Sequence, residues 1–179
     1  AGGKASNLVV FLHGYGADGK DLIDLANPFS MAMPNASFIS PDAPHPCAMS
    51  ASGRQWFPIE EIPDGAIHAS EDLLNLLKTE AKNLNLSSKE VILIGFSQGA
   101  MMSMQCLLIN EYQFGAIIGY SGALRAEYST QTVSSSSSRV LMTSVNDQEE
   151  STLHNYTSDF QQRVRPEPIP RSTCFNHRL

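Results

Sequence analysis

The runs NLVVFLHG (7–14), EVILIGF (90–96) and FGAIIGYSG (114–122) are short and almost continuously apolar. Such runs cannot present one dry face and one wet face. They read as strands buried on both sides, the condition of a parallel sheet. ASFIS (36–40) and RVLMTSV (139–145) read as further strands. Segments with helical spacing lie between them. KDLIDLANPF (20–29) carries Leu22, Leu25 and Ala26 on one side, and Pro28 is expected to mark its end. AIHASEDLLNLLKTEAKNLNL (66–86) is the strongest helical pattern, with Ile67, Leu73, Leu74, Leu77 and Ala81 on one face and Asp64 as its expected N-cap. QGAMMSMQCLLINEY (98–112) reads as another helix. Parallel strands need crossovers, and helices supply them. The alternation therefore predicts an α/β fold with a mostly parallel central sheet.

The 179 residues are enough for one domain with a sizeable core, expected to span residues 1–179. A net charge of −6 argues against a basic surface, so no nucleic-acid partner is expected. No apolar run approaches the roughly 18 residues of a membrane span, and no signal-peptide pattern is visible. Cys47, Cys106 and Cys174 form neither a CxxC pair nor a zinc spacing. They read as reduced thiols, and the expectation is a cytoplasmic protein without a metal site or stable membrane insertion. The stretch 41–65, rich in proline, is a long connection of the kind that usually carries function.

GFSQG (95–99) places a serine between two glycines, after an apolar strand and before a helix. That is the pattern and the context of a nucleophile elbow. A sharp strand-to-helix turn forces Ser97 into a strained backbone conformation and lifts its hydroxyl above the sheet edge. Gly95 and Gly99 stand where a Cβ would crowd the neighbouring chain. The helix that follows aims its free N–H groups at the site, and the Gln98 N–H is placed to stabilise a developing oxyanion.

GYGADG (14–19) also follows a strand and precedes a helix, and it fits the dinucleotide fingerprint G-x-G-x-x-G. A nicotinamide- or flavin-binding domain is thus the rival from another class, with Asp42 as its ribose acid. Asp18 and Asp21 weigh against it, because they would repel a pyrophosphate. In an esterase the same loop would offer a second oxyanion N–H, from Tyr15, and His13 would be a structural hydrogen-bonding residue.

Taken together, VVFLHGYGADGKDL, RQWF and ILIGFSQGAMMS resemble the phospholipase/carboxylesterase family of α/β-hydrolases, which includes the acyl-protein thioesterases. The likeness covers about residues 7 to 124, with three motifs in the right order. It implies a three-layer α/β-hydrolase fold and hydrolysis of carboxylic esters or thioesters without metal or cofactor, acting on a small-molecule ester or lipid-like substrate. It also implies a homodimer. By the same resemblance Ser97 matches the nucleophile, Tyr15 and Gln98 the oxyanion-hole positions, and Trp56 an aromatic of the acyl-site region, although the sequence alone fits Trp56 equally as a core anchor. Phe57 and Met49, in the same long loop, are expected to add apolar surface for the acyl chain.

A serine nucleophile needs a base, and the base needs an orienting acid, in the order serine, acid, histidine for this fold. The stretch LMTSVNDQEE (141–150) corresponds to the family's acid motif, but its His-Gly and Val-Val-Pro are absent. Asp147 is the expected acid, with Glu149 and Glu150 as alternatives. His177 is the expected base. His154 follows Asp147 by only seven residues and is the alternative. Residues 126–179 depart from the family pattern, so a truncated or diverged end stays open, and with it a non-catalytic relative whose triad is incomplete.

Overall fold

Alternation along each strand decides which side of the sheet every residue serves. The computed structural model describes residues 4–47, 50, 52–62, 64–108, 112–122 and 139–143, all within one compact unit, Ala1–Asn146. Strand β1 (Asn7–Leu12) is followed by helices α1 (Gly19–Ile23) and α2 (Ala26–Ala32), then strand β2 (Ala36–Ile39). Within the long connection, β3 (His45–Pro46) and β4 (Arg54–Gln55) pair as a small antiparallel hairpin. Helix α3 (Asp64–Asn83), strand β5 (Val91–Phe96), helix α4 (Gln98–Leu108) and strands β6 (Ala116–Tyr120) and β7 (Arg139–Thr143) complete the described chain.

Five strands form one sheet in the order β2-β1-β5-β6-β7, and every pairing is parallel. Leu8, Val10 and Leu12 of β1 and Val91 and Leu93 of β5 point to the side covered by α3 and α4, where Leu73, Leu74, Leu77, Met102 and Leu107 meet them. Val9, Phe11 and Ile94 point to the other side, against Leu22, Ala26 and Phe29 of α1 and α2 and Met33 just after α2. The result is three layers, as the strand runs predict. Residues 8–12 are fully buried, which is why no polar side chain interrupts them.

The helices differ from expectation at their ends. The single helix expected over 20–29 is two short ones, and Pro28 sits in the first turn of α2, where a missing N–H costs nothing, rather than at a helix end. Asp64 lies within the first turn of α3 instead of capping it. At the other end of α3, Asn85 takes φ +56°, and the Leu86 N–H donates to the Ala81 carbonyl at 2.8 Å. This left-handed cap releases the chain toward β5. Ser87 and Glu90 then form a capping box, and the Ser87 backbone and side-chain donors hold the Glu90 carboxyl below its ordinary pKa.

Leu77 is fully buried in the α3–sheet core, whereas its neighbour Leu76 is 36% exposed. Leu77→Ala should therefore lower unfolding free energy by about 2–5 kcal/mol in urea titrations, and Leu76→Ala by no more than about 0.5 kcal/mol.

Candidate active site

In the parallel register, Leu12 of β1 lies beside Gly95 of β5, and Phe96 lies beside Tyr120 of β6. The chain segments leaving β1, β5 and β6 therefore emerge along one edge of the sheet, the C-terminal edge where α/β proteins place their sites. Ser97 is the residue between β5 and α4. Its φ is +53°, a left-handed conformation that a side chain adopts only when its surroundings enforce it. The Ser97 N–H donates to the Tyr120 carbonyl at 2.8 Å, and the Ser97 carbonyl accepts from Ala100 and Met101 at 2.9 and 3.1 Å. One residue thus ends a strand ladder and begins a helix.

The flanking glycines let the two elements close on each other. A Cβ on Gly95 would lie 2.3 Å from the Gly99 carbonyl oxygen. A Cβ on Gly99 would lie 2.0 Å from the Leu12 carbonyl oxygen and 2.7 Å from that of His13. Helix α4 therefore starts directly against the end of β1. A Cβ on Gly14 would lie 3.3 Å from the Ser97 Cβ, so the loop after β1 runs beside the serine. Among the described residues, neither the Tyr15 N–H nor the Gln98 N–H has a hydrogen-bond partner.

The long connection braces this loop. The Gly16 N–H donates to the Arg54 carbonyl at 2.9 Å, and the Arg54 N–H to the Ala17 carbonyl at 2.8 Å. Arg54 also pins residues 43 and 44 through its guanidinium, at 2.8 and 3.1 Å. The Trp56 indole N–H donates to the His13 carbonyl at 2.9 Å. Gln98 grips the same connection with its side chain: Oε1 accepts from the Trp56 N–H at 2.9 Å, and Nε2 donates to the Phe57 carbonyl at 2.8 Å. Trp56 is 3% exposed and Phe57 1%, so both sit in the core behind the site. The Cys47 thiol lies close to the Tyr15 hydroxyl. That neighbour, with desolvation and the nearby Glu60, raises the phenol above its ordinary pKa.

His13 is fully buried and both its ring nitrogens are occupied. Nε2 accepts from the Ala43 N–H at 3.0 Å, so the ring proton is on Nδ1, which donates to the Gly14 carbonyl at 2.9 Å. It has no lone pair left to act as a base. Asp147 and His177, together with the alternatives Glu149, Glu150 and His154, lie outside the described residues, as does Met49.

The GYGADG loop is filled in a way that excludes the rival reading. Asp18 accepts from the N–H groups of Lys20 and Asp21, at 2.8 and 3.2 Å. Asp42 accepts from the Gly19 N–H at 2.8 Å. Carboxylates already hold the donors that a pyrophosphate would need. Among the described residues, no group of three or more His, Cys, Asp or Glu side chains could hold a metal ion.

Residues 1–163 match the phospholipase/carboxylesterase family. The chain belongs to that family. Among curated members, it is 27% identical to acyl-protein thioesterase 1 of Yarrowia lipolytica over 64% of this chain and 56% of the relative. It is 26% identical to esterase YpfH of Escherichia coli, over 66% of this chain and 53% of the relative. The chain spans about half the length of the curated relatives it matches. Among solved structures, esterase PE8 superposes with a TM-score of 0.67 at 26% identity, covering 90% of this chain and 94% of that one. The Bacillus cereus carboxylesterase shares the fold, with a TM-score of 0.62 at 17% identity over 88% of this chain and 91% of that one. The three-layer family fold is thus the α/β-hydrolase fold.

Sequence reasoning missed the side chains of Arg54 and Gln98. Their signal was present in part: Arg54 and Gln98 both fall within motifs that carry the family resemblance, RQWF and GFSQGA. The glycine contacts lead to a direct expectation. In Gly99→Ala, the new methyl meets backbone that cannot yield, so unfolding free energy should fall by at least about 2 kcal/mol, measured by thermal or urea unfolding.

Proposed function

We propose that this protein is a serine hydrolase of carboxylic esters or thioesters. The observation that carries the reading is Ser97 itself, at φ +53° on the sheet's C-terminal edge beside two N–H groups without partners among the described residues. Family membership supports it, as do the names esterase and acyl-protein thioesterase borne by relatives.

In this reading Ser97 Oγ attacks the substrate carbonyl carbon while His177 accepts the hydroxyl proton. Asp147 orients the imidazole and stabilises its charged form. The N–H groups of Tyr15 and Gln98 take the negative charge that builds on the carbonyl oxygen. The imidazolium then gives its proton to the departing alcohol or thiol, leaving an acyl-serine. A water molecule, deprotonated by His177, attacks that ester and returns Ser97 to its starting state. Phe96 and Tyr120, 49% and 43% exposed and paired across β5 and β6, offer apolar surface next to the serine for a short to medium acyl chain. Trp56 and Phe57 lie in the core cluster on the α3–α4 side of the sheet, behind the loop after β1. The setting is the cytoplasm, in keeping with the free, buried Cys47 and Cys106.

A second reading, a binding module with a silent serine, is favoured by the missing family residues in LMTSVNDQEE. A fluorophosphonate probe separates the two. It should label the protein at Ser97, and Ser97→Ala should lose the label; equal labelling of that variant would defeat the assignment. His177→Ala should slow p-nitrophenyl butyrate hydrolysis at least about a hundredfold. If His154→Ala does so and His177→Ala does not, the base is His154.

A further inference from the structure

Three buried polar side chains connect the two N–H groups to which the proposed hydrolysis assigns the oxyanion. Starting at α4, the Gln98 side chain accepts from the Trp56 N–H at 2.9 Å and donates to the Phe57 carbonyl at 2.8 Å. The Trp56 indole N–H then donates to the His13 carbonyl at 2.9 Å. The His13 ring, 5.4 Å from the indole between centroids, donates from Nδ1 to the Gly14 carbonyl at 2.9 Å and accepts at Nε2 from the Ala43 N–H at 3.0 Å. The Gly14 carbonyl belongs to the same peptide unit as the Tyr15 N–H. In a planar trans peptide the two point in opposite directions. Holding the carbonyl toward His13 therefore aims the Tyr15 N–H away from it.

We propose that Gln98, Trp56 and His13 form one hydrogen-bonded tie that sets the directions of the Tyr15 and Gln98 N–H groups relative to each other. The proposal rests on the serine-hydrolase reading for its catalytic consequence. Its ends are the two donor residues themselves: Gln98 supplies one N–H from its backbone and starts the tie with its side chain, and His13 closes on the peptide that carries the other. Gln98, Trp56 and His13 are 4%, 3% and 0% exposed, so their bonds sit in a low-dielectric interior where geometry is held tightly. Donors aimed before the reaction are what make an oxyanion hole effective, and a small misalignment is costly. Through their side chains all three are positioning residues. Tyr15 and Gln98 alone touch the reacting oxygen, through their backbones.

Two variants test the tie with little change of volume. Trp56→Phe keeps an aromatic ring and removes the indole donor. Gln98→Met keeps chain length and removes both side-chain bonds. With p-nitrophenyl butyrate, each should lower kcat at least about tenfold while leaving KM within about twofold, because the lost interaction acts on the transition state. In Gln98→Met, the Ala43 amide at the far end of the tie should exchange hydrogen at least about tenfold faster, while the interior α3 amide of Leu77 keeps its rate and shows the fold intact. An unchanged kcat, or a change confined to KM, would overturn the positioning role. A fall in kcat with the Ala43 amide unchanged would assign the effect to local packing and overturn the tie. If the unmodified protein takes no fluorophosphonate label, the hydrolase reading fails, and Ala43 exchange alone decides: acceleration supports the tie and no change overturns it.

Discussion

The bend at Ser97 is where the sheet, its covering helix and the site are joined. A single residue with φ +53° ends β5 by donating to Tyr120 and starts α4 by accepting from Ala100 and Met101. Such a conformation is disfavoured for a residue with a side chain. It is held by contact: α4 packs so closely on β1 that Gly99 leaves no space for a Cβ against the Leu12 carbonyl. The same closeness carries the N–H end of the helix to the loop after β1. The geometry that could make Ser97 reactive is therefore also the geometry that packs the third layer onto the sheet.

The long connection braces the first loop from within the core. Trp56 and Phe57 are buried, and the polar atoms around them serve the chain rather than solvent. Arg54 holds residues 43 and 44, Trp56 holds His13, and Gln98 holds both Trp56 and Phe57. Buried polar groups of this kind specify one arrangement because any other would leave donors unsatisfied. Asp18 and Asp42 act similarly on the first loop, and by occupying its N–H groups they close the phosphate cradle that G-x-G-x-x-G would otherwise offer.

Much of the fold was legible because it follows from periodicity. Strands buried on both faces have no polar positions, so β1, β5 and β6 stand out, and α3 shows its apolar stripe. Ser97 was legible because three requirements coincide in five residues: strand, positive φ and helix start. What escaped depends on contacts distant in sequence. The division of the 20–29 segment turns on Pro28 being tolerated in a first helical turn, which local spacing does not reveal. The side-chain role of Gln98 depends on residues 41 and 42 positions away, and Arg54 on residues about ten away. The acid and base have no such local signature at all. Asp147 rests on a stretch that corresponds to the family's acid motif but lacks its flanking residues, and His177 on order along the chain; both lie outside the described residues.

The central claim is that Ser97 and the N–H groups of Tyr15 and Gln98 converge on one reacting carbonyl. A crystal structure of the protein after reaction with a dialkyl phosphonate tests it most directly. The account predicts a covalent bond from Ser97 Oγ to phosphorus, with the phosphoryl oxygen about 2.7–3.1 Å from both the Tyr15 and Gln98 nitrogens. An adduct whose phosphoryl oxygen points away from those two nitrogens, or a phosphonate bonded to another residue, would contradict it.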